Sequence, residues 1–168
     1  MEPSNMHFAK ELAEQLTPLE QQKLKLIIHA GTPKTGTTSL QTYLDKKQYK
    51  LRSKGILYPH NLEKLQNTSA PKHQWFEKNL ATTNLESFLE NFKNIISQVQ
   101  KNTHTIILSS EGIYNDWWDF PDESKKILSE LSNLFDIEIW VWFREPLLFI
   151  ESYYKQCMMW IHYLGHKN

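Results

Sequence analysis

Strands alternating with helices predict an α/β fold for this 168-residue chain, with a parallel β-sheet flanked by helices. Three observations carry that prediction. Four short apolar runs, at 24–30, 55–59, 105–108 and 137–143, have the length and composition of strands. Most intervals between them hold apolar residues at helical spacing. Charged or hydroxyl residues then follow the strand ends, where ligands of parallel sheets collect.

Taken in order, Phe8, Leu12 and Leu16 recur every four residues and predict an amphipathic helix over about 5–16, ended by Thr17-Pro18. Residues 1–22 are read as this helix and its lead-in, and 23–168 as one domain. The run 24–30 is a buried strand, followed by a loop and a helix through about residue 47. Gly55-Ile56-Leu57-Tyr58-Pro59 is a short second strand closed by proline. Asn, Thr, Ser and Pro scattered through 60–83 predict a loop with one helical turn. Leu85, Phe88, Leu89, Phe92, Ile95, Ile96 and Val99 form an almost unbroken helical stripe. A third strand then delivers Ser109, Ser110 and Glu111 at its C-terminal end. Pro121 and Asp122-Glu123 open a helix whose Ile127, Leu128, Leu131, Leu134 and Phe135 face inward. The β-branched and aromatic run 137–143 is the fourth strand. Arg144-Glu145-Pro146 turns it into a last helix, apolar on nearly all sides, through about residue 164.

Composition narrows the function classes. Lys+Arg and Asp+Glu both number 19, and with a net charge of +0 nothing in the bulk charge argues for a nucleic-acid or membrane-surface partner. The single cysteine, Cys157, rules out a disulfide within the chain and suits a reducing compartment. No run approaches the ~20 apolar residues that span a bilayer, and 1–22 lacks the apolar stretch of a signal peptide. The expectation is a cytoplasmic globular protein. Only Arg52 and Arg144 are arginines, so arginine marks positions where lysine would not serve.

The chemistry is concentrated in Ile27-Ile28-His29-Ala30-Gly31-Thr32-Pro33-Lys34-Thr35-Gly36-Thr37-Thr38-Ser39. An apolar strand runs into a turn with two glycines and then into a helix start. Successive backbone N–H groups and the positive end of a helix thereby converge on an anion. Gly31-x-x-x-x-Gly36 matches the triphosphate loop G-x-x-x-x-G-K-[ST], except that Thr37 stands where its lysine belongs. The lysine is Lys34, placed where a bridging oxygen gains charge as a bond breaks. The plainer alternative is turn chemistry between a strand and a helix.

A second anion site centres on Arg144. Ser152 lies eight residues on, about two turns into the last helix, with Lys155 and Gln156 one turn further. A guanidinium suits forked contacts to phosphate. Its alternative is a surface ion pair with Glu145 or Glu151.

Together the two sites resemble the sulfotransferases that use 3′-phosphoadenosine 5′-phosphosulfate. Pro33 to Gln41 fits that family's 5′ loop, Pro-Lys-[Ser/Thr]-Gly-Thr-Thr-x-Leu-Gln, and Arg144, Ser152 and Tyr154 fit its 3′-phosphate motif. The residues 143–146, 150–156 and 55–59 are similar to bacterial-type members in particular. The resemblance implies a P-loop three-layer sandwich and a donor with two phosphate ends. It implies that Lys34, Gly36, Thr37 and Thr38, helped by Thr35 and Ser39, hold the 5′-phosphosulfate, while Arg144 and Ser152 hold the 3′-phosphate. Lys34 would stabilise the leaving phosphate, with no metal taking part. The acceptor would be a hydroxyl of a small molecule, carbohydrate or lipid.

In that family the base that deprotonates the acceptor is a His or Glu, and one place for it is the end of the strand between the two motifs. Here that residue is Glu111; an ion-paired or helix-capping carboxylate is its alternative. His73 is the second candidate, with a solvated loop histidine as its alternative. His29 is read as a hydrogen-bonded structural residue. His162-x-x-x-His166 has metal-ligand spacing without a third ligand nearby, and zinc is not expected. Trp75, Trp117 and Trp118 are candidates for stacking on adenine or a sugar, or for packing. Trp140 and Trp142 are read as sheet-to-helix packing, and Cys157 as no nucleophile.

Family members are generally longer, with C-terminal helices and a basic loop closing over the 3′-phosphate. The chain is therefore read as a fragment, a truncated gene product or an incomplete enzyme. Its last helix would be exposed, and poor solubility or a homodimer through that face follows as an expectation. Two rival functions stay in view. One is a P-loop nucleotide kinase-like enzyme, against which stand Thr37 and the want of a clear magnesium Asp. The other is a non-catalytic remnant that still binds nucleotide, or binds nothing.

Overall fold

The sheet forms around β1 (Lys25–His29), whose alternating side chains are buried on both faces. A strand so placed must be central and covered twice. The computed structural model describes residues 10, 14, 23–32, 34–60 and 72–165, with side chains through Met159. After β1 come α1 (Thr37–Lys46), α2 (Gln48–Arg52), β2 (Ile56–Leu57), α3 (Gln74–Thr82) and α4 (Leu85–Ser97). Then follow β3 (Thr105–Ser109), α5 (Gly112–Asp116) with a 3-10 turn at Trp117–Asp119, α6 (Asp122–Leu134), β4 (Asp136–Trp140) and α7 (Pro146–Gly165). The strand order is β2-β3-β1-β4 and every pairing is parallel. The protein is thus α/β, with a four-stranded parallel sheet flanked by helices.

Strand periodicity divides the core in two. Leu26 and Ile28 of β1 share one cluster with Ile106 and Leu108 of β3, under Trp75 and Phe76 of α3, Phe88 and Phe92 of α4, and Ile127 and Leu131 of α6. Ile27 and Ile107 face the other way and meet Leu44 of α1 and Tyr58. Trp75, Phe76, Phe88 and Phe92 contact one another edge-on or tilted, with centroids 5.0–6.2 Å apart. Aromatic pairs in these geometries contribute about 0.5–1.5 kcal/mol each beyond their area.

The structure departs from the sequence reading in four places. The stretch expected as a loop with one turn holds the nine-residue α3, because Trp75, Phe76, Asn79 and Leu80 recur at helical spacing and are all buried. Trp75 is therefore core and not a ligand-stacking ring. Two short helices, α2 and α5, were not anticipated. β4 stops at Trp140, three residues early, and Trp140 and Trp142 are not packed between sheet and helix: they are 40% and 38% exposed. Of the expected N-terminal helix only Lys10 and Glu14 are described, both helical; residues 61–71, Pro33, and His166 of the histidine pair also lie outside the described residues.

The last helix is apolar, as its composition requires. Leu147, Ile150 and Met159 of α7 are 75%, 61% and 64% exposed. Among the described residues no helix is long and apolar enough to cross a membrane.

Candidate active site

The loop between β1 and α1 is bound down by its own hydroxyls. Thr35 Oγ1 donates to the Thr32 oxygen at 2.6 Å, and Thr32 Oγ1 donates to the Trp142 oxygen at 2.9 Å. Two residues take left-handed backbone: Gly36 at φ 85° and Lys34 at φ 66°. A side chain at 36 would meet no atom, so conformation alone makes glycine the fitting residue there. Lys34 has no such licence, and a non-glycine residue in this region costs about 1–2 kcal/mol. Strain of that kind persists where surrounding contacts fix it. Here the Arg144 guanidinium does so, donating from Nη1 to the Lys34 oxygen at 3.1 Å.

The helix that follows is built to receive negative charge. α1 begins at Thr37, its cap Gly36 offers no side-chain bond, and its first turn carries no acidic residue. The first-turn amides have no intrahelical partner and sit at the positive end of the helix dipole.

A cleft of about 540 Å³ opens at this point, lined by Lys34, Gly36, Thr37, Thr38, Lys72, Glu111, Asn115, Ser152, Tyr153 and Gln156. It brings the loop, the end of β3 and one face of α7 together. Thr35 and Ser39 do not line it, since Thr35 is spent on the loop's own main chain. Arg144 does not line it, its guanidinium meeting the Lys34 oxygen instead, and Tyr154 is exposed. Glu145 and Glu151, the acidic neighbours of Arg144, have other engagements: Glu145 accepts from the Leu147 and Leu148 amides, and Glu151 pairs with Lys155.

Glu111 is held from two sides at one oxygen. The Thr37 hydroxyl donates to Oε1, and Lys72 Nζ lies 3.8 Å from the same atom. Glu111 makes no side-chain cap to α5, so of its expected alternatives the ion pair is present and the cap is not. Lys72 was missed in the sequence, because a lysine beside the polar segment 61–71 carries no motif. Its one signal was adjacency to His73.

His73 is placed quite differently from a solvated loop histidine. It is buried, its Nδ1 accepts from the Ser109 amide at 2.9 Å, and its Nε2 donates to the Pro59 oxygen at 2.9 Å. Burial lowers its pKa from 6.5 to about 4, outweighing the Pro59 carbonyl, whose bond favours the charged form. Both ring nitrogens of the neutral imidazole are thus committed to main chain.

His29 lies at the end of β1, in register with Ser109 of β3. Its Nδ1 is 2.8 Å from Ser109 Oγ, which also accepts from Gln41 Nε2 at 2.9 Å. The ring is fully buried, and burial lowers its pKa, with the charge of Glu111 opposing.

A second carboxylate braces the rim. Glu77 of α3 accepts from Ser110 Oγ at 2.7 Å and from the Gly112 amide, and it shares a hydrogen bond with the Asp116 carboxyl. Burial pushes its pKa up. A Cβ on Gly112 would overlap the Glu77 carboxylate. Trp117 and Trp118 line a separate apolar cleft of about 130 Å³, with Ile113 and Tyr114 of α5 and Ile139 and Val141 near β4. Among the described residues no cluster of His, Cys, Asp and Glu could hold a metal ion.

No family model, no curated protein and no solved structure matches the chain.

Proposed function

We propose that the chain is a sulfotransferase that binds 3′-phosphoadenosine 5′-phosphosulfate and sulfates a hydroxyl of a small molecule, carbohydrate or lipid. The observation that supports this most is the meeting of Lys34, Thr37, Glu111 and Ser152 in one cleft, with Arg144 tied to Lys34. Two anion-binding motifs separated by more than a hundred residues share one rim. A nucleotide with phosphate groups at both its 5′ and 3′ ends has the charges to use both.

The residues fit such a nucleotide. The amides at the start of α1, the hydroxyl of Thr38 and the Lys34 ammonium would hold the 5′ end, and Arg144 with Ser152 the 3′-phosphate. When bound, the nucleotide supplies the sulfuryl group and a phosphate leaving group. Lys34 would neutralise the charge that develops there, an electrostatic contribution of the kind worth several kcal/mol in dry sites.

Glu111 is our proposed base, in preference to His73. The imidazole of His73 has no free nitrogen lone pair facing a ligand. In Glu111, Thr37 and Lys72 both engage Oε1. Oε2 is then the oxygen that takes the acceptor's proton, while the other contacts fix the carboxylate plane.

Calorimetry tests this reading. Binding of 3′,5′-adenosine bisphosphate without metal, and more tightly than ATP–magnesium, is expected. Preference for ATP–magnesium would turn the assignment toward a kinase-like enzyme, and no binding of either toward a remnant.

A further inference from the structure

The buried His29 has a role in the cradle that its strand position conceals. Its Nε2 has no hydrogen-bond partner among the described residues, although the ring is fully buried. An unsatisfied buried donor or acceptor is costly, on a scale that mutational series place well above the worth of an average hydrogen bond. The atom points at the anion loop. A Cβ built on Gly31 would stand 2.8 Å from Nε2 and 3.0 Å from Thr37 Cγ2. Gly31 therefore lets the main chain pass directly over the imidazole, and Thr37 closes the far side. Trp142 covers another side, its ring centroid 4.8 Å from that of His29.

The tautomer is tied to Ser109, whose hydroxyl has one proton and two acceptor sites. Gln41 Nε2 donates into one of these sites. With the serine proton directed to His29 Nδ1, 2.8 Å away, Nε2 carries the ring's only hydrogen.

We propose that His29 is a positioning residue of the anion cradle: a neutral imidazole whose Nε2–H donates to a main-chain carbonyl of the 31–37 loop when a phosphate-type anion is bound. The proposal rests on the cradle binding such an anion. Peptide planes are rigid, so a loop that turns its N–H groups up toward an anion turns carbonyl oxygens down. Directly beneath lies the unpartnered Nε2 of the buried His29 ring. The imidazole thereby supports the bound form of the loop without touching the ligand.

Two measurements test it. The first is the ¹⁵N resonance pattern of His29 in the free protein, with inorganic pyrophosphate then added. The protonated nitrogen is expected to be Nε2, and its resonance to shift on addition. A ring protonated at Nδ1 would overturn the proposal whatever the ligand does. The second is pyrophosphate affinity in two variants. In His29→Asn the amide reaches Ser109 but not the loop, whereas His29→Gln places an N–H near the Nε2 position. A loss of about tenfold in H29N and of no more than about threefold in H29Q is expected, from the worth of one hydrogen bond. Equal affinity in H29N and wild type, or equal loss in both variants, would refute the role. Wild-type protein that does not bind pyrophosphate would instead sink the anion reading itself, and the proposal with it.

Discussion

The Arg144 guanidinium donates to the main-chain oxygen of Lys34, linking positions 110 residues apart at one rim of the sheet. The contact ties the second anion motif to the crest of the first. It also leaves the remaining guanidinium donors for a ligand, since five N–H groups serve one carbonyl here. R144K replaces the fork by a point charge and is expected to weaken binding of 3′,5′-adenosine bisphosphate about tenfold or more. Calorimetry at fixed salt reads it, and unchanged affinity would place Arg144 outside the nucleotide site.

Lys34 combines the ammonium proposed to stabilise the leaving phosphate with a strained backbone. K34A is expected to lower kcat by about 10²–10³, as loss of other charge-stabilising groups does. K34G removes the same charge but relaxes φ, so it should be the more stable of the two variants by up to about 1 kcal/mol. Urea unfolding compares them. Wild-type turnover in either variant would remove Lys34 from the mechanism.

Glu111 and His73 separate by the type of damage. E111Q should reduce kcat by about 10²–10⁴ while nucleotide affinity stays within about threefold. H73Q should show its main effect in the melting temperature, because both ring nitrogens hold main chain. A large kcat loss in H73Q at unchanged stability would reverse the assignment of base.

His73 also sets a pH dependence of stability. Its folded pKa, about 4, lies below the ordinary 6.5, so as pH falls below 6.5 the unfolded chain takes up the proton first. The stability is complete above 6.5 and is lost as pH falls toward 4, on the order of 3 kcal/mol when fully developed. His29, lowered in the same direction, adds to this trend. Urea midpoints between pH 7 and 4 should fall steeply in wild type and less steeply in H73Q. Parallel curves would exclude His73 as the source.

Glu77 works in the opposite sense. Its pKa is raised, chiefly by burial, so the folded protein holds the proton longer than the unfolded chain does. Stability from this group is present at low pH and declines as pH rises above the ordinary carboxyl value. E77Q keeps an acceptor for Ser110 and Gly112 and removes that decline. Its stability relative to wild type should therefore grow from pH 4.5 to 7, and a constant difference would count against the mechanism.

The strands and the long helices were legible because each carries either a periodic stripe or a continuous apolar run. Phe88, Phe92 and Ile95 are buried at helical spacing, and Ile106, Ile107 and Leu108 form a strand buried on both faces. The loop's turn chemistry and the placing of Glu111 after β3 were legible from spacing alone. α3 was not, because polar residues diluted a stripe carried mainly by Trp75, Phe76 and Leu80. The fixed state of His73 depends on Pro59 and Ser109, distant in sequence, and no local pattern encodes such partners. Lys72 was hidden for the same reason: its meaning comes from Glu111, which folding brings alongside.

Gly112 is not among the residues that line the cleft, yet its lack of a side chain gives the Glu77 carboxyl its seat. A methyl group there would push that carboxyl, the movable end of its side chain, off the Ser110 hydroxyl and the Gly112 amide. An alanine scan confined to ligand-facing positions would overlook this residue.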